Sequence, residues 1–262
     1  MAKLPTPKGM EMSFLEHLEE LRWHIVKALI GILIATIACG IYADFIVQDL
    51  LMKPLRAAGL KAQVLAPYGI VLLYMQTVLI CGVILSMPNT LYWLWRFVAP
   101  GLLPRERRYV SRLVFLTSLC FFGGVAFSYF ILLPTSLSFF SAFGTQMIDL
   151  NISIDHYISF VLTLLLGAGL VFELPMVSYF LTRIGFLTPE FMRQYRRHSI
   201  VVILIISAIV TPTPDPMTQI MLALPMLLLY ETSIFVSKLA LRKTESEKQE
   251  SDSPIQADGE SS

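Results

Sequence analysis

Long runs of apolar residues, separated by short polar stretches, dominate this chain of 262 residues. A membrane-spanning helix needs roughly 20 consecutive, mostly apolar residues. Four runs reach about this length, and two shorter ones follow them near the C-terminus. The pattern therefore predicts an all-α membrane protein with six transmembrane helices, of which the last two are short. The predicted spans are 25–43, 70–95, 113–133, 157–182, 199–210 and 217–236.

The last two runs are too short for an ordinary bilayer. Run 199–210 has 12 residues, so its helix would be about 18 Å long at a rise of ~1.5 Å per residue. The sequence TPTPDP then forces a turn, in which Asp215 predicts a helix N-cap and Pro216 the first helical position. We assign structural turn roles to Asp215, Pro216 and Gln219, and also to Pro54 in the first loop. The hairpin is expected either to re-enter the membrane or to span a locally thinned bilayer.

Proline residues inside three of the predicted spans change the expected shape of the bundle. Pro88, Pro175 and Pro225 lie in the second, fourth and sixth runs, and each should kink its helix because it lacks a backbone donor. We expect a curved bundle with a concave face, formed by a single polytopic domain over residues 1–243. The polar, acidic tail 244–262 is expected to be disordered.

Composition and charge support a multi-pass membrane protein and predict its orientation. Hydrophobic residues make up 55% of the chain and charged ones 15%, with a mean hydropathy of +0.67, whereas soluble domains carry about 25% charge. A net charge of +1 gives no field that would attract nucleic acid. Of 20 basic residues, only Lys53, Arg56 and Lys61 fall on one side of the predicted membrane. The positive-inside rule therefore predicts that both termini are cytoplasmic.

The segment 13–22, SFLEHLEELR, predicts a short amphipathic helix on the cytoplasmic surface, with a capping box that begins at Ser13. Glu16 and Glu20, one turn apart, are the candidate ligands for a cation in this helix. The alternative is a solvated interfacial helix with internal pairs such as Glu19 with Arg22. Spacing alone favours this alternative.

The loop FVAPGLLPRERRYV carries a second candidate carboxylate. Glu106 lies among Arg105, Arg107 and Arg108, so it either neutralises one of these topology-setting arginines or is presented to an incoming guanidinium, which a carboxylate binds through two parallel hydrogen bonds. Here too, spacing alone favours the structural interpretation.

Glu173 is the only charged residue between Asp155 and Arg183, in the middle of the fourth predicted span. An ionisable residue at membrane depth indicates a functional site, although a structural hydrogen bond remains an alternative. Gly169 lies one turn earlier on the same helix face and would let another helix approach closely. Burial should favour the neutral form of this carboxyl group.

Four motifs in this order resemble the TatC family, the multi-spanning core of the twin-arginine protein translocase. They are FLEHLEELR near the N-terminus, FVAPGLLPRERR after the second span, FELP in the fourth span, and TPTPDPMTQ followed by LPMLLLYE in the last hairpin. The resemblance extends from about residue 14 to residue 243. The family often has an acidic and then a basic residue near the start of its second span, whereas LAPYGIVLLYMQ at 65–76 has no charge.

The resemblance implies a receptor in the bacterial cytoplasmic membrane for folded proteins that bear twin-arginine signal peptides. It further implies TatA- and TatB-like single-span partners and self-association in a larger complex. Glu20 and Glu106 would contact the paired arginines, which reverses the weighting from spacing alone. We group the flanking Arg22 and Arg105 with this signal-peptide site. Glu173, with Gly169, would face the concave side and contact partner helices.

Two other classes of function compete with a receptor. A proton-coupled secondary transporter would use Glu173 as its titrating group, but the two halves of the chain show no internal repeat of the kind that transporters usually have. An intramembrane hydrolase would need a nucleophile or zinc motif, and neither GxSxG nor HExxH occurs. Three cysteines and four histidines form no ligand motif. The sequence therefore predicts a non-enzymatic protein without metal or cofactor.

Overall fold

The computed structural model describes residues 14–98, 110–142, 151–183, 185–211 and 215–252, which are almost entirely helical. Their helices are α1 (Phe14–Ile41), α2 (Ala43–Phe45), α3 (Met52–Ala57), α4 (Gly69–Val98), α5 (Val110–Phe127), α6 (Leu133–Ala142), α7 (Ile154–Val171), α8 (Leu174–Arg183), α9 (Pro189–Gln194), α10 (Arg196–Val210) and α11 (Pro216–Asp252). Two π-helical turns, Ile46–Leu51 and Ser128–Leu132, and two short strands, β1 (Lys61–Gln63) and β2 (Asn151–Ser153), complete these elements.

Five segments of the described residues are long and apolar enough to cross a membrane. The fifth predicted span corresponds to α10, which has only 15 residues and falls short of the usual spanning length. The prediction that the last helix is also short was wrong, because the candidate span in α11 has 23 residues. The five candidate spans are Leu18–Ile41, Gly69–Phe97, Leu113–Ala142, Ile154–Thr182 and Pro216–Lys238.

The first predicted span and the amphipathic segment before it are one helix. The amphipathic helix predicted over 13–22 leads directly into the first span, because α1 runs without interruption from Phe14 to Ile41. The connecting residues 22–27 (RWHIVK) contain neither Gly nor Pro, so nothing in the sequence ends the helix there. Ser13, and with it the predicted capping box, lies outside the described residues.

The third span is longer than its apolar run. The prediction ended at residue 133, whereas α5, the second π-helical turn and α6 continue to Ala142. The extra residues include hydroxyl side chains that bond within their own helix: Ser136 donates to the Leu132 carbonyl at 2.8 Å and Ser138 to the Pro134 carbonyl at 2.8 Å. Because these hydroxyls are satisfied locally, a Ser-rich segment can remain helical at membrane depth.

The fourth span is interrupted where the sequence predicted a kink. Helix α7 ends at Val171 and α8 begins at Leu174, with Phe172 and Glu173 in a turn between them. Pro175 occupies the first turn of α8, where its missing N–H costs no hydrogen bond. By contrast, Pro88 and Pro225 lie inside the continuous helices α4 and α11.

The C-terminal helix continues into the acidic tail. We predicted disorder from residue 244, but α11 extends through Asp252. Residues 244–252 (TESEKQESD) are rich in Glu, Lys and Gln, which propagate a helix readily once the apolar part has nucleated it. The remainder of the tail, residues 253–262, lies outside the described residues.

The chain divides into two compact units. The first unit comprises Met1–Tyr42 and Val78–Ser118, and the second comprises Ala43–Thr77 and Leu119–Ser262. In the first unit, α1 and α4 approach closely at glycines: a Cβ on Gly31 would collide with Asn89, and one on Gly82 with Thr36. Small residues at such positions allow helix backbones to pack closely in a membrane.

The core of the second unit forms where the π-helical turns meet other helices. Tyr157 of α7 donates from its hydroxyl to the Leu51 carbonyl at 2.6 Å, and Tyr129 donates to the Leu50 carbonyl at 2.9 Å. Strands β1 and β2 pair in parallel, with Lys61 opposite Asn151. The surrounding fully buried side chains are Leu51, Leu55, Leu132, Leu133, Leu137, Ile158, Leu162, Leu164, Leu222 and Met226.

Helix α11 holds the C-terminal part of the second unit together, because both α8 and α10 pack against it. Two buried hydroxyl pairs add to the apolar contacts: Thr182 donates to Ser237 at 2.9 Å, and Thr218 donates to Ser136 at 2.9 Å. At the polar end, Arg196 of α10 forms a salt bridge with Glu231 of α11 at 2.6 Å.

Helices α5 and α7 meet at two glycines, one on each helix. A Cβ on Gly124 would lie 2.6 Å from the Ala168 carbonyl oxygen, and one on Gly169 would lie 2.6 Å from the Phe121 ring. The neighbouring Gly123 has open space around it. Only one of two adjacent glycines in α5 is therefore required for this packing.

We expect Gly124→Ala to destabilise the purified protein by about 1–3 kcal/mol, since the methyl group would be forced against a backbone carbonyl that cannot move easily. Gly123→Ala is the matched control and should leave stability equal or slightly higher. Thermal unfolding in a mild detergent measures both variants. Equal unfolding temperatures for the two would contradict the close approach of α5 and α7.

Candidate functional site

The first candidate site surrounds Glu20 on α1. Its side chain is half-buried, while its neighbours Glu19 and Arg22 are exposed. One turn further along, His24 is buried, and its Nδ1 donates to the Glu20 carbonyl oxygen at 2.7 Å. Because a carbonyl can only accept, this bond places the ring proton on Nδ1. The position of Glu20 is thus tied to a buried histidine.

An aromatic cluster in the first unit holds His24 in place. The His24 ring lies 5.6 Å from the Trp93 ring in an edge-on arrangement and 6.1 Å from the Phe97 ring. A small cavity of about 140 Å³ adjoins these three side chains. The wall is otherwise mostly aliphatic, with Leu21, Ile25 and Leu94 among its lining residues.

Two cations lie over the same tryptophan. Lys27 Nζ is 4.6 Å from the centre of the Trp93 ring, and the Arg96 guanidinium carbon is 5.6 Å from it. Arg96 also donates to the Tyr92 hydroxyl at 3.0 Å. Cation–π contacts of this kind contribute roughly 0.5–1 kcal/mol at exposed positions. Both cations are therefore engaged by aromatic rings, and Glu20 has no ion-pair partner among the described residues.

The other half of the predicted signal-peptide site cannot be placed beside Glu20, because Glu106 and Arg105 lie outside the described residues. The His24–Trp93 cluster is a part of the site that the sequence analysis missed. Trp, Tyr, Lys and Arg near the ends of two apolar runs are a signal for membrane-interface anchoring. The sequence pattern alone, however, does not predict which residues of α1 contact which residues of α4.

The second candidate site is Glu173, in the turn between α7 and α8. Its backbone N–H donates to the Leu170 carbonyl at 3.1 Å, and its own carbonyl accepts from Met176 at 3.0 Å and Val177 at 3.0 Å. The residue is only 8% exposed. No described residue forms a hydrogen bond with the buried carboxyl oxygen Oε1.

Aromatic rings surround the turn that carries Glu173. The rings of Phe127 and Phe172 lie 5.6 Å apart, and Phe121 packs against Gly169 one turn before the carboxyl group. Gly169 therefore admits a helix of the same chain at this point. A buried polar group without a partner costs about 1–3 kcal/mol, and no described residue offsets this cost at Oε1.

The residues assigned to structural turns have distinct positions. Asp215 Oδ2 accepts from the Thr218 backbone N–H at 2.7 Å, and α11 begins at Pro216, as an Asp-Pro pair predicts. Gln219 donates to the Leu204 carbonyl of α10 at 3.1 Å. Pro54 lies inside α3 instead of in a turn, and the turn comes later, at Gly59, whose φ is 72°.

Comparison with known proteins decides the family. The model of the family described as Sec-independent protein translocase protein (TatC) matches residues 16–225. The chain belongs to the TatC family. It is similar to the TatC protein of Koribacter versatilis, with 39% identity over 91% of this chain and 90% of the relative. It is also similar to that of Aquifex aeolicus, with 38% identity over 88% and 97%.

Solved structures agree with this membership. A crystal structure of the twin-arginine translocase receptor TatC matches with a TM-score of 0.77 and 37% identity, over 86% of this chain and 100% of that one. The protein is thus a receptor component of a protein translocase and not an enzyme. The alternatives of a proton-coupled transporter and an intramembrane hydrolase are set aside.

Proposed function

We propose that this TatC protein binds twin-arginine signal peptides of folded cargo at the cytoplasmic face, through Glu20 of α1 and Glu106, which follows α4 in the sequence. The supporting observation is the half-buried Glu20 carboxylate, which has no ion-pair partner among the described residues. A carboxylate accepts two parallel bonds from one guanidinium, so two carboxylates match two arginines. Arg22 and Arg105 flank the site and set its local charge.

The cluster beside Glu20 supports the same proposal. Lys27 and Arg96 are attracted to the Trp93 ring, which leaves the Glu20 carboxylate available to an external cation. His24 fixes the backbone at Glu20 through its 2.7 Å bond. A site that is already rigid before binding loses less entropy when the peptide arrives.

Glu20→Ala should weaken binding of a twin-arginine signal peptide about tenfold or more, because a charge-assisted hydrogen bond contributes roughly 1.5–3 kcal/mol. Glu106→Ala and Glu106→Lys should have effects at least as large. Glu19→Ala, which removes the exposed adjacent carboxylate, is the matched control and should bind as the wild type does. Fluorescence anisotropy with a labelled peptide in detergent measures these affinities. Wild-type affinity in both Glu20→Ala and Glu106→Lys would remove the assignment.

The same proposal gives Glu173 the role of an intramembrane contact for TatA- and TatB-like single-span proteins, with Gly169 supporting the adjacent packing. The support is the buried Oε1 without a donor among the described residues. A neutral carboxyl group can both donate and accept, so a polar side chain of a partner helix would satisfy it. We also propose self-association in a larger complex.

Glu173→Ala should abolish site-specific crosslinking to TatA- and TatB-like partners, while signal-peptide affinity stays unchanged. Glu173→Gln should keep much of the crosslinking, since an amide also donates and accepts. Neither variant should lower the unfolding temperature of the isolated protein, because no internal hydrogen bond to Oε1 is lost. If Glu173→Ala assembled normally with both partners but unfolded at a lower temperature, the carboxyl group would be structural.

For the topology, we propose six crossings of the bacterial cytoplasmic membrane with both termini cytoplasmic. The basic residues between and after the spans support this orientation. The crossing by α10 needs a thin bilayer, since 15 residues give about 22 Å at ~1.5 Å per residue, against a core of about 30 Å. A thin bilayer beside a translocase would lower the barrier to moving a polar chain.

Measurements of membrane depth test the proposed thinning of the bilayer beside α10. Spin labels at the exposed positions Leu204 and Leu224 should report a bilayer thinner than that around a label at Leu29 of α1, which is also exposed. The physical reason is hydrophobic mismatch, because the bilayer thins locally to match the short helix α10. Ordinary thickness around a fully inserted hairpin would refute the proposed thinning.

A further inference from the structure

A cavity of about 140 Å³ lies between α1 and α4, within the first unit of the chain. An engineered apolar cavity of about 150 Å³ takes up benzene, so this volume suits one side chain of the size of leucine or phenylalanine. Ile25 and Leu94 line the cavity and are 49% and 54% exposed. The cavity is therefore open along this edge and is not an enclosed packing defect.

The polar hydrogens of the cavity wall are already bonded. His24 and Thr90 each donate to a backbone carbonyl of their own helix, and Trp93 donates from Nε1 to the Asn89 side chain at 3.1 Å. The other residues that line the cavity have aliphatic or phenyl side chains. An anionic or amide side chain would thus lose its water without gaining a hydrogen-bond donor, which is unfavourable.

Two cations make the cavity equally unsuitable for a basic side chain. Lys27 Nζ lies 4.6 Å from the centre of the Trp93 ring, and the Arg96 guanidinium carbon lies 5.6 Å from it. A third cation beside the same ring would be repelled by both. Charge and hydrogen bonding together restrict the occupant to a neutral, apolar group.

Glu20 adjoins the α1 side of this cavity. Successive residues of an α-helix are about 100° apart, so Glu20 lies about 40° around α1 from the cavity-lining His24. The α1 residues of the wall, Leu21, His24, Ile25 and Ala28, are centred about 7 Å along the helix axis from Glu20. An extended peptide advances about 3.3 Å per residue, and residues two apart point to the same side. A peptide that binds Glu20 through an arginine would therefore bring the side chain about two residues away to the cavity.

We propose that this cavity receives one apolar side chain of the twin-arginine signal peptide, from the residue two positions away from the arginine that Glu20 binds. The inference rests on the proposed function and adds a contact that recognises an uncharged residue. Such a side chain comes from water at the cytoplasmic face, so its burial is favourable. The carboxylates then select the arginines, and the cavity selects the residue beside them.

Synthetic peptides with paired arginines test the proposal by fluorescence anisotropy with the purified full chain in detergent. Leu, Ala or Lys is placed in turn at the first or second position on either side of the pair, because either arginine can meet Glu20. Polar residues fill the rest of the flanks. At one of these positions, the Leu peptide should bind about tenfold more tightly than the Ala peptide, and the Lys peptide more weakly than both. Equal affinities for Leu and Ala at every position would overturn the proposal.

A filled cavity should remove this preference. Ala28→Leu places a larger side chain into the cavity, whereas Ala35→Leu makes the same change at another half-buried residue of α1, which does not line it. The first variant should bind the Leu and Ala peptides equally, and the control should keep the difference. Unfolding temperatures show whether each variant is folded, and Thr90→Leu fills the cavity from α4 if Ala28→Leu is not. A leucine preference that persists in a folded, filled variant would overturn the proposal.

Peptides with paired lysines separate this inference from the proposed function. Each variant should still bind paired arginines more tightly than paired lysines, because Glu20 is unchanged. If the wild type bound both pairs equally, the proposed function would fail and the inference with it. If the wild type preferred arginines but showed no preference for leucine, only the assignment of the cavity would fail.

Discussion

The absence of water from the bilayer interior is the constraint on which this structure depends, because backbone and side-chain polar groups there must find partners within the protein. Long helices satisfy most of them. Where the helices depart from regular geometry, side chains supply the missing hydrogen bonds. At the first π-helical turn, the hydroxyls of Tyr129 and Tyr157 donate to the carbonyls of Leu50 and Leu51. Thr182 and Ser237 satisfy each other between α8 and α11.

Glu173 departs from this pattern, because its buried Oε1 is one of six buried side-chain polar atoms without a partner among the described residues. The position is also where the chain interrupts its helix, two residues before Pro175. Packing alone would favour an apolar residue and a continuous helix here, which is why the proposed partner contact is assigned to this position. The tight glycine contacts between α5 and α7 stabilise the region around it.

The sequence predicted those features that depend on neighbouring residues. The apolar runs located the long helices, and the Asp215-Pro216 pair located the start of α11. It failed where distant residues decide the outcome. Strand pairing between Lys61 and Asn151 left no trace in either segment. One local feature was also missed, since hydroxyl groups that bond within their own turn accompany the longer third span. The cluster around Trp93 joins two helices that are far apart in sequence, so the surroundings of Glu20 were visible only in the structure.

The parallel pairing of β1 and β2 has a consequence for biogenesis. Strand β2 directly precedes α7, and β1 ends shortly before α4 begins at Gly69, so if both helices cross the bilayer as proposed, the pair requires them to start from the same side of the membrane. The ribosome delivers β1 first, and β2 emerges only after α4 and the α5–α6 run have been synthesised; in the proposed topology these two segments cross in opposite directions. The two strands can therefore pair only when α4 and the α5–α6 run have both inserted in the correct orientation. A chain in which either span failed to cross would leave both strand edges unpaired, available to quality-control proteases that bind extended segments.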